Sequence, residues 1–313
     1  MNTPSYDSRS TLQLSRLTPH QSRITDHSSR IALRDGRRLG YAEYGDLGGA
    51  PVFYFHGMPG SRLQRHPDPA VASDLGVRVI TCDRPGYGLS DFQTGRRLLD
   101  WPRDVTQLAD ALGIERFAVL GVSGGGPHAA ACAYALPERV TRAGIVSSPR
   151  PLGGWQDAAG MSSLARLALG IGARAPLLLR PVVWALSNPG RNSEQFVLSS
   201  ARYLPPADQA VLQRAAFRAM MIEDSAEAGR RGVRAYWWDL ALLTRPWGFD
   251  LGGIHVPVHL WHGEADNIVP AAMGHYLAAA IRTCQASFLP GEGHFLVFNH
   301  LWDILRVLVA PSG

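Results

Sequence analysis

The amino-acid sequence predicts an α/β fold, with a mostly parallel central sheet flanked by helices and a helical insertion before the last strands. Three observations lead there. From Ile31 onward, short apolar runs alternate with helical periodicity. A serine framed by glycines stands where one of those runs gives way to a helix. After Val146 the strand pattern lapses into helical periodicity and resumes only at Val256-Pro257-Val258.

Taken in order, Leu39 to Tyr44, Pro51 to Phe55, Val77 to Thr81 and Phe117 to Leu120 read as strands, the last two apolar enough to be buried. Trp101 to Leu112 puts Val105, Leu108, Ala109 and Leu112 on one helical face, and Gly113 ends the helix before the Phe117 strand. The expected connection is a right-handed βαβ unit. Val140 to Val146 reads as a further strand. The interval 151–248 is then expected to be a helical cap inserted into a core made of 30–150 and 249–313, with 1–29 as a mobile polar tail. The cap interval holds Trp155, Trp184, Phe196, Phe217, Met220, Met221, Tyr236, Trp237, Trp238 and Trp247, most of which are expected to pack it onto the core. Internal repeats are not apparent.

The length of 313 residues suits one large α/β domain or a core with a small accessory unit. Hydrophobic residues at 46% and charged residues at 18% place the chain among globular proteins. All 31 basic residues are Arg, scattered along the chain, so the net charge of +5 does not suggest a nucleic-acid partner. Without Lys, Schiff-base chemistry has no residue to use. Cys82, Cys132 and Cys284 form an odd, widely spaced set that indicates neither a disulfide framework nor a zinc site and suits the cytoplasm. The first 29 residues lack a signal-peptide apolar run. Arg166, Arg174, Pro176, Arg180 and Pro181 interrupt the apolar stretch from Leu164 to Leu186, so no membrane span is expected.

Gly121-Val122-Ser123-Gly124-Gly125 carries the strongest chemical signal, because this G-x-S-x-G turn directly follows a buried strand and precedes the Ala-rich segment Ala129 to Ala135. A sharp strand-to-helix turn strains the serine backbone and needs glycines where neighbouring backbone comes close. A Gly-rich turn with an incidental Ser, or a phosphate loop, would share the pattern, but no Walker lysine is present. The Gly124 N–H at the helix start is placed to stabilise an oxyanion.

With His56-Gly57-Met58-Pro59-Gly60 after the Pro51 strand, and Asp83-Arg84-Pro85-Gly86-Tyr87-Gly88-Leu89-Ser90 further on, the chain resembles the α/β-hydrolase fold superfamily. The resemblance extends through Trp261 to Pro270 and through Gly291-Glu292-Gly293-His294-Phe295, which look like that family's acid turn and histidine loop. It implies Ser123 as nucleophile, Asp266 as orienting acid and His294 as general base, in the chain order the fold requires. It further implies Met58 N–H as second oxyanion donor beside Gly124, and architectural roles for His56 and the Asp83 turn. Glu264 competes with Asp266 and reads as a solvated loop carboxylate; His262, His275 and His300 read as surface or packing residues.

The implied activity is that of a serine hydrolase that cleaves a carboxyl ester of a small apolar substrate through an acyl-enzyme, without cofactor or metal. Thioester, peptide and carbon–carbon bond hydrolysis use the same residues, and a non-turnover ligand receptor or a cofactor-free oxygenase would retain them. A Ser at the elbow argues against epoxide hydrolases and haloalkane dehalogenases, which use Asp there. The missing Trp after Ser123 argues against proline iminopeptidases. The partner is expected to be a small molecule; oligomeric state is not encoded in any pattern found.

Overall fold

The computed structural model of the protein describes residues 29–152, 189–243 and 245–311. Eight strands form one sheet: β1 (Arg30–Ala32), β2 (Arg38–Gly45), β3 (Ala50–Phe55), β4 (Val77–Cys82), β5 (Phe117–Val122), β6 (Val140–Val146), β7 (Val258–Gly263) and β8 (Cys284–Leu289). Their spatial order is β1-β2-β4-β3-β5-β6-β7-β8. β2 runs antiparallel to both its neighbours, while β3 to β8 are mutually parallel. The mostly parallel sheet expected from the sequence is therefore present, with an antiparallel edge.

Strand side chains alternate between two cores, as the pleat demands. In β3, Phe53 and Phe55 face one layer while Val52 and Tyr54 face the other; in β5, Phe117 and Val119 oppose Ala118, Leu120 and Val122. The first layer is closed by α2 (Trp101–Ala111), α3 (Gly126–Ala135) and α8 (Ala271–Ala280), through Val105, Leu108, Ala129 and Leu277. Across the sheet, α1 (Ala70–Ser73) and α9 (Leu296–Val309) close the second. Val297, Leu301, Ile304, Leu305 and Leu308 lie at the three- and four-residue spacing that makes one helical face. Gly113, at φ +69°, ends α2 as expected.

Between β6 and β7 the described residues form α4 (Pro189–Ala201), α5 (Pro206–Gln213), α6 (Ala215–Ala228) and α7 (Arg234–Leu243). Phe217, Met220 and Trp247 are buried there, in agreement with a packing role. Trp155, Trp184, the Phe196 side chain and the stretch from Leu164 to Leu186 lie outside the described residues, as does 1–28. β7 starts at Val258 rather than Val256, because Pro257 has no N–H to give to a ladder. No helix among the described residues is long and apolar enough to cross a membrane.

The turn from β5 into α3 is packed against the end of β3. A Cβ at Gly125 would collide with the main-chain carbonyl of Phe55 and come within 2.8 Å of that of His56. Gly125→Ala is therefore expected to destabilise the protein by roughly 3 kcal/mol, the upper end of overpacking costs. Urea unfolding would measure it, and an unchanged midpoint would show that β3 can yield.

Candidate active site

Because β3, β5, β7 and β8 are parallel, their C-terminal ends share one edge of the sheet. His56 follows β3, Ser123 follows β5, Asp266 lies three residues past β7 and His294 five past β8. Loops at this edge are where α/β sheets place ligand sites.

Ser123 leaves the extended backbone of Val122 and adopts φ +52°, opening a one-turn 3-10 segment, Ser123–Gly125, that runs into α3. The strained strand-to-helix turn expected from the sequence is therefore present at Ser123. The Gly57 backbone passes beside it: a Cβ on Gly57 would lie 3.6 Å from that of Ser123. Gly124 and Met58 also adjoin, since a Cβ on Gly124 would lie 2.9 Å from Met58 Cβ and 3.7 Å from Met58 N. The two residues read as oxyanion donors thus meet next to the serine.

His294 Nδ1 lies 2.7 Å from Asp266 Oδ2, and both side chains are buried. The other carboxylate oxygen, Oδ1, accepts the N–H groups of Ile268 and Val269 at 2.9 Å each. Burial alone would raise the Asp266 pKa, but the charge of His294 and hydrogen bonds from His262, His294 and Val269 hold it well below the ordinary carboxylate range. Burial works against protonation of His294 as well; the charge and hydrogen bond of Asp266, with the charge of Asp208 added, outweigh it and raise the imidazole pKa above its usual value. An ionised Asp266 accepts the Nδ1 proton, which leaves Nε2 as the acceptor nitrogen.

Ser123 and His294 line one cavity of about 180 Å³. Met58, Val197, Leu204, Met221, Phe295 and Phe298 make most of its wall apolar, and Gln64, Asp224 and Ser225 give it one polar side. Gln64 Oε1 accepts from Gly57 N and Tyr54 OH, and Nε2 donates to Asp224 at 3.1 Å. Asp224 also accepts from Ser61 N and Oγ, at 2.7 Å each.

The competing residues stand elsewhere. Glu264 is exposed. His275 stacks on Phe288 with ring centroids 3.7 Å apart, and His300 pairs with Glu292 at 2.9 Å. His262 is fully buried behind Asp266, its Nε2 2.8 Å from Val269 O. His56 is held neutral by burial and by the charge of Arg84; its Nδ1–H donates to Gly57 O, and its Nε2 accepts from Arg84 N. No group of His, Cys, Asp or Glu among the described residues is arranged to hold a metal.

Sequence reasoning missed a set of carboxylates that the insertion sends into the core loops. Asp239 of α7 binds Arg84 Nη2 at 2.8 Å and also pairs with Arg96. Arg84 in turn donates to the carbonyls of His56 and Gly57. The Gly57 carbonyl belongs to the peptide whose N–H is that of Met58, so the guanidinium fixes that peptide from behind. Asp208 of α5 accepts from His294 N at 2.7 Å and from Phe295 N at 2.8 Å. Neither acid has a local motif; the one hint is Gly293, where any Cβ would fall on the Asp208 carboxylate.

With strands β3 to β8 parallel and the serine turn at the edge of the sheet, the architecture is that of an α/β-hydrolase fold. Residues 50–179 match the family model described as alpha/beta hydrolase fold. An esterase from Rhodococcus sp. ECU1013 superposes with a TM-score of 0.66 at 23% identity, over 91% of this chain and 98% of its own. A non-heme chloroperoxidase of Streptomyces lividans is 36% identical over 120 residues, which is 38% of this chain and only 44% of that relative. A 2-hydroxy-6-oxononadienedioate/2-hydroxy-6-oxononatrienedioate hydrolase of Cupriavidus pinatubonensis is 28% identical, over 84% of this chain and 86% of its own. The chain has the α/β-hydrolase fold and resembles that superfamily over the matched residues, and its named relatives include several hydrolases.

Asp239→Leu would leave the guanidiniums of Arg84 and Arg96 buried without their counter-charge. The expected loss of stability is about 3–5 kcal/mol by urea unfolding. A loss below about 1 kcal/mol, the scale of exposed pairs, would mean that water reaches the cluster.

Proposed function

We propose that this protein is a serine hydrolase that cleaves a carboxyl ester, or a related acyl bond, of a small and largely apolar substrate. The observation that supports this reading best is the 2.7 Å contact of His294 with Asp266 at the same cavity as the strained Ser123 turn. In this reading His294 Nε2 takes the proton of Ser123 Oγ as the oxygen attacks the acyl carbonyl. Asp266 keeps the proton on Nδ1 and stabilises the imidazolium. The N–H groups of Met58 and Gly124 receive the developing oxyanion. The imidazolium returns its proton to the leaving group, and the acyl-enzyme is hydrolysed by a water that His294 activates in the same way. Serine, histidine and water account for every bond and proton, so the reaction calls for no cofactor or metal.

The cavity of about 180 Å³ is below the usual range for drug-sized ligands and favours a short acyl or alcohol group. In this proposal 151–248 acts as a cap over a core of 30–150 and 249–313, and 1–29 is a tail. The three free cysteines, two of them buried, fit a cytoplasmic enzyme. A small molecule is the only partner the reading requires, and nucleic acid is not one.

The first test is labelling by a fluorophosphonate serine probe, with turnover measured on short and long esters, a thioester and a carbon–carbon substrate of the type named by the 28%-identical relative. Labelling of the wild type that is lost in Ser123→Ala, with ester turnover, is expected. An unlabelled wild type would favour a receptor or a cofactor-free oxygenase, and turnover confined to the carbon–carbon substrate would move the scissile bond. Activity is expected to fall at low pH as His294 gains a proton. Because that pKa is raised, the midpoint should lie above the unperturbed value of about 6.5. A midpoint below it in a kcat/KM profile would contradict the assignment of His294 as base.

A further inference from the structure

We propose that Asp208, carried by α5 of the insertion, is a positioning residue for His294: its carboxylate holds the histidine loop through two main-chain hydrogen bonds and so couples the seating of the insertion to the catalytic base. The proposal rests on the reading of His294 as base. The geometry is bidentate. One oxygen accepts from His294 N at 2.7 Å and the other from Phe295 N at 2.8 Å, and Asp208 is 1% exposed. Phe295 is the residue before the first turn of α9, and its backbone is not yet helical. The N–H groups of this loop therefore have no helical acceptor and would be left wanting if the carboxylate withdrew. Gly293 completes the fit, since only a residue without Cβ leaves room for the carboxylate.

The carboxylate is close enough to act by charge as well. Three elements bring polar groups to His294: Asp266, from the loop after β7, contacts the imidazole, Asp208, from α5, reaches the main chain of the same residue, and Ser123, from the turn after β5, lines the same cavity. His262 stands behind Asp266, 3.5 Å from its Oδ2, and Glu292 is turned outward to His300 and Asn299. Both acids facing His294 favour the imidazolium. Asp266 acts on Nδ1 directly, whereas Asp208 touches only main chain. Its removal should therefore displace the base and weaken the field without changing the tautomer.

The test compares pH profiles of kcat and KM for wild type, Asp208→Asn and Asp208→Glu on the best ester of the panel, with folded fraction taken from circular dichroism. Asp208→Asn is expected to lower kcat on the order of a hundredfold, as a misplaced catalytic group does, with KM little changed. Its acid limb should move to lower pH, because a negative charge near the imidazole is gone. Asp208→Glu keeps the charge but cannot meet both N–H groups in the same place, so kcat should fall while the limb stays. Wild-type kcat in either folded variant, or an unmoved limb in Asp208→Asn, would overturn the proposal. Should Asp208→Asn not fold, the kcat of Asp208→Glu decides. Failure of the underlying reading is visible separately, in a wild type whose own profile shows no acid limb.

Discussion

Ser123 is a non-glycine residue at φ +52°, a conformation that costs about 1–2 kcal/mol and persists only where its surroundings leave no alternative. Here the alternatives are removed on three sides. β5 holds Val122 in the sheet, α3 begins at Gly126, and the carbonyls of Phe55 and His56 press against Gly125. The serine can neither continue the strand nor start the helix one residue earlier. Everything else at the sheet edge is arranged around that fixed point, because parallel strands deliver the Met58, Asp266 and His294 loops to the same end.

The core alone does not fix those loops. The loops after β3, β4 and β8 receive buried acids from the insertion: Asp224 meets Ser61 and Gln64, Glu227 meets Arg62, Asp239 meets Arg84, and Asp208 meets the backbone of His294 and Phe295. A buried carboxylate is costly unless its partners are placed well, so a misplaced insertion would strand several charges at once. Such a set specifies how the helices sit more sharply than apolar contact does. Arginine suits the receiving side. The Arg84 guanidinium reaches Asp239 and the carbonyls of His56 and Gly57 together, which a single ammonium with no planar fork would do poorly.

The parallel core was legible because β3 and β5 are apolar on both faces and β4 and β6 are mostly apolar, and the serine turn because its glycines are forced by close backbone approach. β8 was not delimited by its own pattern. Cys284, Gln285, Ala286 and Ser287 form an edge strand bonded to β7 alone and exposed over much of its length, so hydrophobic periodicity has little to act on. The contacts of Asp208 and Asp239 were invisible for a different reason. Their partners lie 86 and 155 positions away in the chain, and nothing in the local sequence marks an acid that will be buried. The role of Arg84 was hidden inside a turn that read as architecture.

The buried acids divide according to what faces them. Asp266 and Asp239 meet an imidazole and two guanidiniums, and despite burial their pKa values fall well below the ordinary range. Asp224 has only neutral donors in Ser61 and Gln64, and burial raises it to about 7. The signs then differ. For Asp266 and Asp239 the unfolded chain holds the proton more tightly, so their contribution to stability is present above the unfolded value of about 4 and is lost as pH falls. For Asp224 the folded state holds it more tightly, so its contribution is greatest below about 4 and is lost as pH rises toward 7. The same carboxyl lines the cavity beside Ser123. On the polar side of that cavity, burial among neutral donors therefore favours the carboxylic acid over the carboxylate more than water does.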